Sequence, residues 1–271
     1  MRKNMKVIFY MICSIVIVYG GITIGTLWIS EFQKMNEVSK SLVWENMTFL
    51  GIVLIVWICF KEIREYLSSK MSYELVIGLM FSVLLVVLLV VFLLLTKTVG
   101  FKINNLFSKV GLIYIIISFF VQALGEEILF RGYLQKRLID EKGNVVGVLL
   151  CNLMFALLHI SNNGITILSL LNIFLLGVLF SWISIKRNNI WIVTGMHMGW
   201  NITNQLIFGL PNSGLVYKEA YIIPNISKKT IWIHKEHGVE GGIAVTILVV
   251  ILIICLWIGE RRWNETKENM K

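Results

Sequence analysis

Gly125-Glu126-Glu127-Ile128-Leu129-Phe130-Arg131-Gly132 lies within an apolar run, residues 112–138. At about 1.5 Å per residue, a helix over that run is long enough to pass the ~30 Å hydrocarbon core of a bilayer. A carboxylate at such depth is costly, so an ionisable residue there marks a functional site by default. Here two stand side by side. How the chain accommodates them decides both its fold class and its chemistry.

The rest of the sequence sets the same environment. The chain has 57% hydrophobic and 15% charged residues, with a mean hydropathy of +0.78. Soluble domains carry roughly 45–50% apolar and 25% charged residues. Eight apolar runs fall at about residues 7–29, 42–60, 75–95, 112–138, 145–162, 165–185, 190–209 and 242–258. The expected fold is therefore an all-α polytopic membrane protein of eight spans. It forms one domain over residues 1–271, and its largest aqueous feature is a polar loop at about 210–241 that holds both prolines, Pro211 and Pro224.

An even number of spans puts both termini on one side, and the Lys/Arg bias chooses that side. The terminal segments and the loops on their side hold 16 of the 25 basic residues, a bias that stays when Arg131 is counted inside its span, so both termini are placed in the cytoplasm. The formal charge of +9 then forms a basic rim facing anionic lipid, and no aromatic-interleaved basic patch points to nucleic acid. Arg2, Lys3 and Lys6 precede the first run in the manner of a signal peptide. That run exceeds the 7–15 residues of a usual signal core, so it reads as a retained span. Cys13, Cys59, Cys151 and Cys255 all fall within apolar runs and read as small hydrophobes. The sequons at Asn46 and Asn201 lie inside spans and read as chance matches.

Polar residues inside the runs carry the functional signal. Glu127 and Arg131, at i and i+4, share a helix face and can pair. Glu126 points about 100° away from Glu127 and has no charged partner three or four residues along its helix. An unpaired carboxyl in this setting suits a general acid or base. His197 and Asn201 are also i and i+4, and Gln122, Asn152 and Asn204 lie nearby. Counted at about 1.5 Å per residue from the cytoplasmic ends, Glu126 lies about 16 Å deep, His159 about 21 Å, His197 about 10 Å and Asn201 about 16 Å. One pocket near the midplane could collect a carboxylate, two imidazoles and an amide. Phe130 and Phe155 read as core packing, with Phe155 against His159. His234 and His237 read as solvated loop residues.

Known intramembrane chemistries narrow the reading. Aspartyl proteolysis needs two aspartates, and the chain has only Asp140, outside the spans. Neither a His-Glu-x-x-His helix nor Gly-x-Ser-x-Gly is present. Glutamate and histidine acting on water remain.

Glu126-Glu-Ile-Leu-Phe-Arg131, Phe155-Ala-Leu-Leu-His159 and His197-Met-Gly-Trp-Asn201 resemble, in this order, the three motifs of the CAAX protease and bacteriocin-processing family. The resemblance covers about residues 112–205. It implies an eight-helix intramembrane endopeptidase in which Glu126 and His159 activate water, and His197 and Asn201 stabilise the oxyanion. Glu127 and Arg131 match motif positions that orient the site. The expected substrate is a membrane-associated peptide or protein, reached laterally or from the cytoplasm, in a bacterial cell membrane.

Three alternatives stay open from sequence. Glu126, His159 and His197 supply the ligand count of a catalytic zinc ion, although the sequence offers no evident carboxylate to orient either histidine. The chain could instead be a catalytically idle bacteriocin-immunity or binding protein. It could also be a small transporter with Glu126 as its proton site, although repeated halves are absent.

Overall fold

The computed structural model describes residues 2–31, 37–60, 63, 67, 71–104, 112–216, 220–227 and 230–269. Its long helices are α1 (Arg2–Glu31), α2 (Glu37–Cys59) and α3 (Met71–Leu95), followed by α4 (Leu112–Lys142). Then come α5 (Asn144–Leu158), α6 (Ile167–Arg187), α7 (Trp191–Asn201 with its extension Ile202–Ile207) and α8 (Ile243–Asn269). These segments fall on the eight apolar runs. Those in α1, α3, α4, α6 and α8 are long and apolar enough to cross a membrane. The chain is a multi-pass membrane protein.

Helix α5 departs from expectation. The predicted run of 145–162 ends as a helix at Leu158, because His159 leaves helical geometry and residues 159–164 turn back toward α6. At 15 residues, α5 is about 22 Å long, short of the ~30 Å core. Thr166 and Ser169 start α6 with a reciprocal capping box, which satisfies otherwise orphaned N–H groups. Between α4 and α5 the reversal is made at Gly143, whose φ of +80° suits a residue without Cβ.

The two π-helical stretches bear directly on the site. Ile128–Leu134 interrupts α4 immediately after Glu127, and Ile202–Ile207 follows Asn201 at the end of α7. The N–H of Gln135 donates to the carbonyl of Phe130, and that of Phe208 to Thr203, each spanning five residues. Such wide turns are frequent at functional sites.

Polar contacts show which helix ends share a side. Lys6 pairs with Glu141 at 2.8 Å, Lys186 with Glu260, and Arg187 with Glu74 at 2.7 Å. The beginnings of α1 and α3 thus lie with the ends of α4, α6 and α8. The opposite side carries the turn after α5 and a small sheet outside the all-α expectation. Strands β1 (Val99–Ile103) and β2 (Ile222–Ile226) pair antiparallel, with Val99 opposite Ile226 and Ile103 opposite Ile222. The described residues of the loop of 210–241 therefore fold back on the bundle.

Packing follows the membrane rule that small residues admit close helix approach. A Cβ on Gly78 would lie 1.9 Å from the carbonyl oxygen of Ile192, and one on Gly195 would lie 2.1 Å from that of Leu75. Helices α3 and α7 are therefore in backbone contact. That contact fixes the helix carrying His197 and Asn201.

Candidate active site

Arg131 is fully buried with Glu127, both side chains having 0% exposure. The guanidinium donates to Glu127 at 3.1 Å, to Asn152 Oδ1 at 3.2 Å and to the Gly177 carbonyl at 3.3 Å. Its carbon lies 4.8 Å from the ring centre of Phe155. One cation therefore ties α4, α5 and α6 together, as a buried charge requires when water is absent. The expected i, i+4 pair is present.

Glu127 extends the clasp to α7. Its Oε1 lies 2.9 Å from His197 Nδ1, which donates to it. This corrects the sequence reading that no carboxylate orients either histidine: Glu127 orients His197. The contact brings together residues 70 positions apart, so no local spacing could reveal it.

Glu126 faces elsewhere. Its side chain is 13% exposed, its Oε2 has no hydrogen-bond partner, and that oxygen lies 3.9 Å from His197 Nε2. Both imidazole nitrogens of His197 thus face carboxylates. His159 stands at the C-cap of α5, and its Nδ1 lies 2.8 Å from the Phe155 carbonyl oxygen. A carbonyl can only accept, so Nδ1 carries the proton in that bond and Nε2 is left as the acceptor. Phe155 packs against the His159 ring at 4.8 Å and against Phe130 at 4.9 Å, as expected of core packing.

Glu126, His159, His197 and Asn201 all line one cavity of about 650 Å³. Phe130, Phe155 and Phe180 supply apolar wall, and Val18, Ile22, Trp44 and Thr48 of α1 and α2 close one flank. The expectation that these polar groups come together from separate helices thus matches the geometry. Asn201 is buried; its Nδ2 donates to Gln122 Oε1 at 3.2 Å, and its Oδ1 accepts from Asn212 Nδ2 at 3.0 Å.

The loop of 210–241 contributes more than the sequence suggested. Asn212, Ser213 and Glu240 also line the cavity. His237, read from sequence as solvated, is fully buried; its Nδ1 donates to the Asn163 carbonyl at 3.0 Å, and its Nε2 lies 3.9 Å from Glu240. The tertiary return of the loop, invisible to local polarity, overrode that reading. Pro211 immediately before Asn212 was the one local hint that the chain turns here.

The zinc alternative requires Glu126, His159 and His197 to gather as three ligands. Among the described residues, no three His, Cys, Asp or Glu side chains are grouped so as to hold a metal ion. Glu126, His159 and His197 share the cavity without forming a ligand cluster.

Glu126, two histidines and an asparagine from three helices thus face one cavity inside a helical membrane bundle. Residues 107–203 match the family described as type II CAAX prenyl endopeptidase Rce1-like, in line with the resemblance that the three motifs carry. The matched stretch runs from just before α4 to just after Asn201 and contains all three motifs. Comparison with curated proteins gave no match.

Proposed function

We propose that the protein is a glutamate-type intramembrane endopeptidase that hydrolyses a peptide bond of a membrane-associated peptide or protein. The observation that carries this reading is the common cavity of Glu126, His159, His197 and Asn201. The free oxygen of Glu126 and the lone pair on His159 Nε2 hold one water, and Glu126 takes its proton as it attacks the scissile carbonyl. With its Nδ1–H held by Glu127, His197 turns Nε2 toward Glu126 and the cavity, and when that nitrogen carries a proton it donates to the developing oxyanion. The second N–H of Asn201 donates beside it, the first being held by Gln122. Each such donor is worth roughly 3–4 kcal/mol in comparable sites. Arg131 and Glu127 fix these positions without touching substrate.

The apolar walls suit an extended segment drawn from the bilayer. Asn162, Ser213, Leu215, Val216 and Glu240 line the cavity on the side away from the termini. With the termini in the cytoplasm of a bacterial cell, that side is the outer face, so substrate enters laterally past α1 and α2 or from outside, in place of the cytoplasmic route expected from sequence.

The test is cleavage of a membrane-peptide library by protein purified in detergent, with Glu126→Gln and His159→Ala in parallel. Loss of cleavage in both, at unchanged unfolding midpoints, supports the reading. A wild-type protein that cuts nothing, while cells carrying either variant keep the wild-type phenotype, refutes it in favour of an idle binding or immunity protein. Proton flux into liposomes that depends on Glu126 would point instead to transport.

A further inference from the structure

The side-chain amide of Asn201 can serve an oxyanion only if its nitrogen, not its oxygen, is presented to the cavity. The side chain that sets that orientation, Asn212, lies outside the family-matched segment. Trp200 Nε1 donates to Asn212 Oδ1 at 3.0 Å. An indole has only a donor, so Asn212 must turn its oxygen toward Trp200 and its nitrogen the other way. That nitrogen donates to Asn201 Oδ1 at 3.0 Å. Asn201 must then turn its own nitrogen toward Gln122 and the cavity.

Glu240 locks the relay from behind. Its Oε1 accepts from the same Trp200 N–H at 3.2 Å, and its Oε2 accepts the Ser213 backbone N–H at 3.1 Å and the Ser213 hydroxyl at 2.6 Å. Ser213 sits at φ +49°, a conformation uncommon for a residue with a side chain, and these bonds hold it there. Asn172 in turn holds the Glu240 carbonyl at 2.7 Å.

We propose that Asn212, polarised by Trp200 and anchored through Glu240, is a positioning residue that sets the amide orientation of Asn201 for oxyanion binding. This rests on the endopeptidase reading. It makes the loop after α7 part of the catalytic apparatus rather than a connector. A flipped Asn201 would aim an oxygen lone pair at the developing negative charge, so the expected defect lies in turnover and not in substrate binding.

The decisive variant is Asn212→Asp, which keeps size and accepts hydrogen bonds but, when ionised, cannot donate to Asn201. It should lower kcat about 100-fold while KM stays within about threefold. Asn212→Ser, whose hydroxyl both accepts and donates, should recover at least about tenfold over the aspartate. Trp200→Phe, which removes the polarising donor without adding charge, should fall between wild type and Asn212→Asp. Equal losses in the aspartate and serine variants, or an unchanged kcat in Asn212→Asp, would overturn the proposal.

A second measurement is independent of activity. The Asn201 side-chain NH₂ resonances, assigned through Asn201→Asp, should exchange slowly in wild type and Asn212→Ser and quickly in Asn212→Asp. If wild type cleaves no peptide, the endopeptidase reading fails, while slow exchange still upholds the relay. Fast exchange in wild type overturns the relay whatever the activity.

Discussion

Arg131→Met removes the guanidinium buried with Glu127 and leaves that buried carboxylate with only its His197 contact. Both partners have no exposed side-chain surface, so solvent screening cannot soften the loss. Breaking a buried pair from one side typically costs about 3–5 kcal/mol, because the remaining charge keeps its desolvation penalty without its partner. That range corresponds to roughly a hundredfold to a few thousandfold in the folded-to-unfolded ratio. Asn152 Oδ1 and the Gly177 carbonyl also lose a donor, which places the expected effect in the upper half of the range. Adding Glu127→Gln to Arg131→Met removes the orphaned charge while keeping an acceptor for His197 Nδ1. The double variant should therefore recover about 2 kcal/mol or more relative to Arg131→Met alone. The assay is reversible unfolding in mixed micelles, followed by the far-ultraviolet helix signal. A single variant that loses less than about 1 kcal/mol, or a double variant no more stable than the single, would refute the clasp as a buried ionic device.

Gly195→Val should separate α3 from α7, because the carbonyl oxygen of Leu75 occupies the space a side chain needs; lost cleavage together with a lowered unfolding midpoint is expected, and wild-type values for both would refute the backbone contact. In a cysteine-free background, Val216→Cys should react with a membrane-impermeant thiol reagent on intact cells, while Arg261→Cys should react only after permeabilisation. The reverse pattern would invert the proposed orientation. Strong chelation of the purified protein should leave peptide cleavage unchanged, since no three-ligand cluster exists among the described residues. Loss of cleavage restored by added zinc would reinstate the metal mechanism.

The membrane class and the residues around the cavity were readable from sequence because both arise from rules that act along the chain. Apolar length marks a span, and a charge inside that length demands a reason. The Glu127–Arg131 pair is a four-residue neighbour relation, and the depths of Glu126, His197 and Asn201 follow from helical rise. The missing parts depend on where the chain returns in space. His197 meets Glu127 across 70 residues, and Trp200 meets Glu240 across 40. His237 read as a solvated loop histidine because no cysteine or third ligand near it in sequence suggested a site, yet the loop folds it against Asn163. The end of α5 at Leu158 was likewise hidden, since apolar residues continue to Ile160 while the backbone already turns.

The wide turns at Ile128–Leu134 and Ile202–Ile207 act as slack, each absorbing a local surplus of chain beside a site residue while the helix on either side stays in phase. Deleting one residue from either would tighten the winding there and leave the far ends of the helix facing as before. In α4, a deletion between Glu127 and Arg131 would change their spacing from i, i+4 to i, i+3 and redirect a guanidinium that must reach Asn152 and Gly177 as well as Glu127. Among relatives of this chain, a one-residue gap there would therefore mark a locally rebuilt centre inside an otherwise unchanged helix.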